Sequence, residues 1–94
     1  IDKNYRVPHM GWNLVNKSND SLLTKDFDNF DEVIFYFVHS YFVKVENEKN
    51  SILKTSYGVE FDSAIQKDNI YGAQFHPEKS HKFGMKLFEN FARI

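Results

Sequence analysis

Gln74-Phe75-His76-Pro77-Glu78-Lys79-Ser80 is the stretch where a strand pattern gives way to a helix pattern, and its reading decides the fold. Pro77 has no amide proton to give a ladder, so the strand that carries Phe75 and His76 must stop there. Ser80 is placed to cap a helix, on which Phe83, Leu87, Phe88 and Phe91 recur along one face. A residue before proline is held extended, which fixes His76 in the β region. With one residue between them in an extended chain, His76 and Glu78 project from the same face. A carboxylate beside an imidazole selects its tautomer, orients the ring and stabilises the imidazolium formed when it takes a proton. The pair therefore supplies two parts of a nucleophile–His–carboxylate triad, at a strand end where α/β enzymes place their sites.

Working upstream, Val33 to Val38 is a continuous β-branched and aromatic run, which predicts a strand buried on both faces. After His39-Ser40 the pattern resumes as alternating Tyr41 to Val45, then Glu46 to Ser51 turns polar and Ile52 to Tyr57 returns as a strand. Gly58 marks a bend. Val59, Phe61, Ser63 and Ile65 alternate with Glu60, Asp62, Ala64 and Gln66, a half-buried strand pattern. Lys67-Asp68-Asn69 turns the chain into Ile70 to Phe75 as the second arm of a hairpin. Nearer the start, Tyr5 to Val15 reads as short extended pieces interrupted by Pro8 and Gly11. Ser21 can cap a short turn bearing Leu22 and Leu23. Phe27 and Phe30 pack their rings from a segment whose Asp26, Asp28 and Asp31 stay in water.

Ninety-four residues suffice for one small domain. Ten Phe and five Tyr predict an aromatic core. The absence of cysteine excludes disulfides and thiolate ligands. A net charge of −1 with interspersed signs gives no footprint for nucleic acid. No stretch has transmembrane length and the opening lacks a signal-peptide layout, so the expected setting is the cytosol, with no membrane partner. The opening Ile1-Asp2-Lys3-Asn4-Tyr5 reads as a sequence joined midway.

Gln74 to Ser80 resembles the closing triad motif of class I glutamine amidotransferases, in the order strand, His-Pro-Glu, helix. The resemblance implies that His76 is the general base and that Glu78 orients it. Val38-His39-Ser40-Tyr41-Phe42 resembles the family stretch whose backbone helps to hold the substrate glutamine, which implies binding roles for His39, Ser40 and Tyr41. Val7-Pro8-His9-Met10-Gly11-Trp12-Asn13 resembles a loop of the glutaminase subunits of imidazole glycerol phosphate synthases. It implies that Pro8, His9, Met10, Gly11, Trp12 and Asn13 face a synthase (cyclase) partner in a heterodimer, with Lys79 at the same interface gating ammonia. The three motifs run in family order across the chain. The implied fold is α/β, the C-terminal part of a flavodoxin-like amidotransferase domain spanning residues 1–94, mostly strands plus one C-terminal helix. The implied activity is hydrolysis of glutamine, without a cofactor, to feed ammonia into imidazole glycerol phosphate synthesis. In the family the nucleophile is a cysteine on a strand-to-helix turn, and this sequence has none. The expectation is a glutaminase portion that is inactive by itself.

Each residue also has a plainer reading. His76 and Glu78 make an ordinary structural hydrogen bond; the zinc deaminases that share the His-x-Glu spacing require a Pro-Cys-x-x-Cys partner, which a cysteine-free chain cannot have. His39 serves equally as a core histidine satisfied by backbone, Trp12 as core filling, and Lys79 as a solvated lysine. His81 reads as a solvated first-turn residue, and Asp26, Asp28 and Asp31 lack the turn glycine and terminal Glu of a calcium loop, so no metal site is expected. Two further functions remain beside the first: a paralogue supplying ammonia for surface-polysaccharide sugars, and a non-catalytic pseudo-amidotransferase that binds a synthase.

Overall fold

The computed structural model describes residues 8–94, so the expectation for Tyr5 to Val7 lies outside the described residues. Among the described residues six strands form one sheet: β1 (His9–Lys17), β2 (Val33–His39), β3 (Ser51–Tyr57), β4 (Val59–Lys67), β5 (Ile70–Ala73) and β6 (Phe75–His76). One helix, α1 (His81–Ala92), closes the chain. The order across the sheet is β5-β4-β3-β1-β2-β6, and every described pair is antiparallel. β1 pairs with β2 from His9↔His39 to Val15↔Val33, but meets β3 only at Asn16↔Lys54 and Lys17↔Leu53. The sheet is thus two three-stranded pieces joined at one corner.

The core is aromatic, as composition predicts. Phe35, Phe37 and Phe61 are fully enclosed, with Phe27, Phe75, Phe83, Ile52, Leu53 and Leu87 around them. Ser21 does cap its turn, its Oγ accepting from the Leu23 N–H at 3.1 Å. Phe27 is buried, Phe30 packs edge-on to Phe83, and Asp26, Asp28 and Asp31 remain exposed.

Five expectations are corrected. β2 is not buried on both faces: Val33, Phe35 and Phe37 point into the core while Ile34 and Tyr36 are half-buried and Val38 is exposed. Its core face is covered by Phe27, by Phe61 of β4 and by Phe83 of α1, while the other face is only partly covered. Tyr41 to Val45 forms no strand. Its backbone is held by side chains, with the Val43 N–H donating to Gln74 Oε1 at 3.0 Å and the Val45 N–H to Asp62 Oδ2 at 2.7 Å; one backbone bond, Asp62 N–H to the Val43 carbonyl, completes the attachment. That attachment also explains why β4 does not alternate. Phe61 to Ala64 are all buried, because Asp62 turns inward onto Lys54 Nζ at 2.6 Å and the Val45 amide. Burial pushes the Asp62 carboxyl up, but hydrogen bonds from Lys54, Val45 and Ser51 more than reverse this and hold it below the usual carboxylate range.

The fourth correction concerns the second hairpin arm. It splits at Gln74: β5 pairs with β4, whereas β6 crosses to pair with β2 at Tyr36↔His76 and Phe37↔Phe75. Last, the helix presents Phe83 and Leu87 to the core but leaves Phe88 and Phe91 largely in water. The third inward position is Asn90, whose Nδ2 donates to the Leu23 and Lys25 carbonyls, both at 2.9 Å. Counting apolar residues points to Phe91; counting turns of 3.6 from Phe83 and Leu87 points to Asn90. Asn90→Ala strips both carbonyls of their donor in a buried setting, so it should lower the unfolding free energy by about 1–3 kcal/mol. Urea denaturation of the two chains measures this, and an unchanged midpoint would mean those bonds carry no net stability.

Candidate active site

His76 is the last residue of β6, extended (φ −104, ψ 96) as its position before proline requires. The chain then enters a 3₁₀ turn, Pro77–Lys79, rather than continuing extended. Pro77 suits the first position of such a turn, where its missing N–H costs nothing. Glu78 still reaches the ring: its two carboxylate oxygens both lie 3.3 Å from His76 Nδ1. Nδ1–H donating to the carboxylate leaves the lone pair on Nε2, which meets no acceptor or donor among the described residues. The side chains are 40% and 54% exposed, so the pair orients the ring without contributing much stability.

Two features fix the backbone of this turn. Ser80 stands at the helix entrance but does not cap it. Its buried Oγ instead donates to the His76 carbonyl at 2.6 Å and accepts from the Tyr36 N–H at 3.0 Å, joining β6 to β2 where the short ladder ends. Gly84 brings α1 against the turn so closely that a Cβ there would collide with the Pro77 carbonyl. Ser80→Ala would leave Tyr36 N–H and His76 C=O without their partner and should cost about 1–3 kcal/mol of stability, checked by urea denaturation.

His76 pairs with Tyr36, and Tyr36 with Trp12, so the three side chains share the sheet face opposite the core. Met10, Leu14 and Val38 are exposed on the same face. Trp12 stands edge-on to Tyr36 at 5.9 Å and lies flat on His81 at 5.5 Å; Lys79 Nζ sits 6.0 Å above the Tyr36 ring. His81, expected only as a solvated residue, is exposed but takes part in this stack. Met10 is 61% and Trp12 45% exposed, and Pro8 is also exposed, with Gly11 and Asn13 half-covered. His9 differs from its neighbours. It is 2% exposed, stacked between Phe37 and Tyr57 at 4.8 and 3.9 Å, and cannot present its ring at a partner surface.

His39 lies on the core face with His9, so its imidazole is not brought to His76; Tyr36 and His39 are three residues apart, about 10 Å along the strand. Its Nδ1 bonds the Tyr41 carbonyl at 2.7 Å and its Nε2 meets His9 Nδ1 at 2.8 Å. Ser40 is exposed and Tyr41 is 84% exposed. Sequence reading missed the His9–His39 contact, because only the strand register places the two rings opposite each other.

The family profile "Glutamine amidotransferase class-I" matches residues 1–94. The chain is 52% identical to "Imidazole glycerol phosphate synthase subunit HisH 2" of Methanococcus maripaludis, over 99% of this chain and 45% of that protein. It is 44% identical to the subunit of the same name in Pseudomonas aeruginosa (95% of the chain, 43% of that protein). With "Imidazole glycerol phosphate synthase subunit HisH" of Leptospira borgpetersenii it shares 42% identity, over 99% of the chain and 45% of that protein. The chain belongs to the class I glutamine amidotransferases. More particularly, these three relatives are HisH subunits, and the chain spans less than half of their length. The sheet with one C-terminal helix is a small α/β part of such a domain; no parallel pair occurs among the described residues to display the doubly wound sheet. No described helix is long and apolar enough to cross a membrane.

Burial, then the neighbouring His39, lowers the His9 pKa from 6.5 to about 4. A histidine whose folded pKa is depressed must be stripped of its proton to fold, so its contribution is whole above about 6.5 and is lost as pH falls toward 4. Stability should therefore fall by up to about 1.4 kcal/mol per pH unit across that window. Urea midpoints measured from pH 4.5 to 7 should show this slope, and His9→Phe should flatten it.

Proposed function

We propose that this chain forms the proton-handling part of a glutaminase, working with a cysteine nucleophile supplied by sequence outside these 94 residues. The observation that carries the reading is His76, held by Glu78 at 3.3 Å on Nδ1 with Nε2 unengaged among the described residues. His76 takes the proton of the thiol, the thiolate attacks the side-chain amide of glutamine, and His76 gives that proton to the departing nitrogen, which leaves as ammonia. The same ring then draws a proton from the water that releases glutamate and returns it to the cysteine. Glu78 holds the ring and offsets its positive charge. Ser40 and Tyr41, with His39 beneath them, hold the glutamine through their backbone.

The ammonia goes to a synthase (cyclase) subunit making imidazole glycerol phosphate in histidine biosynthesis, in a cytosolic heterodimer. The names of the relatives support this destination, and so does the exposed face carrying Met10, Trp12 and Lys79 beside His76. Apolar aromatic surface rimmed by charge is the usual composition of a contact anchor. A surface-sugar paralogue would use the same site with another partner. The pseudo-amidotransferase reading is weaker, since a retained, oriented His–Glu pair has no use in a binding module.

The test joins this chain to the part of the Methanococcus maripaludis relative that the match does not cover. The joined protein, mixed with its cyclase, should hydrolyse glutamine, and the 94 residues alone should not. His76→Ala should reduce turnover by about 10⁴-fold or more, and Glu78→Gln by on the order of 10²-fold, less because the pair is half in water. Lys79→Ala should spare glutamine turnover and lower the yield of imidazole glycerol phosphate from glutamine but not from added ammonia. Unimpaired hydrolysis by the His76 variant would sink the assignment.

A further inference from the structure

His9 has no part in the proton transfers assigned to His76, yet its hydrogen bonds run in one definite direction. The Tyr41 carbonyl can only accept, so the His39 nitrogen 2.7 Å from it, Nδ1, carries a proton. A neutral His39 then offers Nε2 as an acceptor, and His9 Nδ1, 2.8 Å away, must donate to it. That leaves His9 Nε2 as an acceptor, facing Asn13 Nδ2 at 3.4 Å. The orientation of the Asn13 amide is settled independently. Its Oδ1 accepts from the Leu14 N–H at 2.8 Å, and its Nδ2 donates to the Ser56 carbonyl at 3.0 Å. With both rings neutral, a single placement of protons satisfies every group from Asn13 to Tyr41. It puts the proton of both imidazoles on Nδ1, the tautomer that an unconstrained histidine side chain disfavours.

We propose that His9 is a positioning residue for the Ser40–Phe42 backbone: by donating to His39 it locks that ring as a donor to the Tyr41 carbonyl. The lock sets the plane of the Tyr41–Phe42 peptide. In a planar trans peptide the N–H points opposite to the C=O, so the Phe42 N–H is turned away from the imidazole. Among the described residues the N–H groups of Tyr41 and Phe42 have no acceptor. Resting on the proposal that this backbone holds glutamine, the clamp presents such an N–H to a substrate oxygen. The burial that keeps His9 uncharged near neutral pH suits the task, because an imidazolium there would confront Asn13 Nδ2 with a second donor.

Long-range proton–nitrogen spectra of the 94-residue chain at pH 8 test the lock directly. Both His9 and His39 should appear as Nδ1–H tautomers. His9→Phe keeps a ring between Phe37 and Tyr57 but removes the donor; it should release His39 to the Nε2–H form and shift the Tyr41 carbonyl carbon. His9→Asn puts an amide N–H close to the lost Nδ1–H and should restore both signals. A residue that only fills the core predicts the reverse, with Phe silent and Asn disruptive, and that result overturns the proposal. Finding His39 as Nε2–H, or as a random-coil mixture, in the unsubstituted chain overturns it without any variant. In the joined enzyme, His9→Phe should raise KM for glutamine by about tenfold with kcat within about twofold, and an unchanged KM would overturn the link from lock to substrate. Nδ1–H tautomers in a joined enzyme that turns over no glutamine would instead count against the glutaminase reading and leave the lock standing.

Discussion

Phe35 and Phe75 lie ring on ring, their centroids 3.9 Å apart and their planes 19° from parallel, with both residues buried. β6 has only two residues, and so short a ladder cannot secure a strand by backbone bonds alone. Stacking adds about 0.5–1.5 kcal/mol for the pair beyond the burial of its two rings, which makes this contact an anchor of β6. The same rings extend the contact outward. Phe83 brings α1 onto Phe35, and Phe37 lies edge-on to both Phe75 and Phe61. Because β1 and β3 share backbone bonds at only one corner, these edge-on rings are also what closes the two three-stranded pieces on each other.

The position of His76 follows from that packing. Side chains alternate along a strand, so with Phe75 drawn into the core His76 must face outward. The half-exposed His76 ring is therefore aimed outward by the burial of its neighbour Phe75. The outward face then acquires its other members by register, Tyr36 beside His76 and Trp12 beside Tyr36. On the inner face the same register sets His39 against His9. β2 thus has Tyr36, the neighbour of His76, on its outward side and His39, one member of the enclosed pair of imidazoles, on its inner side, and the backbone that leaves its end is tied to that pair.

Much of this was legible because it is periodic or local. The β-branched run of β2, the bend at Gly58, the proline stop and the amphipathic helix follow from side-chain spacing and backbone chemistry, and His76 and Glu78 sit too close in sequence to miss each other. What escaped reading was decided by partners distant in the chain. Gln74 interrupts the second hairpin arm because its side chain bonds Val43, thirty-one residues away. Asp62 looks like the polar side of an alternating strand, yet Lys54 and Val45 make its burial possible. Asn90 looks like surface, and takes an inward turn of α1 because two carbonyls near Leu23 need a donor. His9 sat in a motif associated with a contact surface, and nothing in that motif indicates that Phe37 and Tyr57 would enclose it.

The Ser80 hydroxyl has a consequence for how the chain can vary in length. It spans from the His76 carbonyl to a strand that lies more than forty residues earlier, while Gly84 seats the next turn of helix on Pro77. The interval from His76 to Gly84 is therefore a fixed gauge. One residue added or removed there would shift the hydroxyl off both its partners and rotate Gly84 away from the proline. Insertions belong elsewhere, in the polar exposed stretch around Glu46 to Lys49, whose ties to Asn19 and Lys54 run through the exposed Glu48.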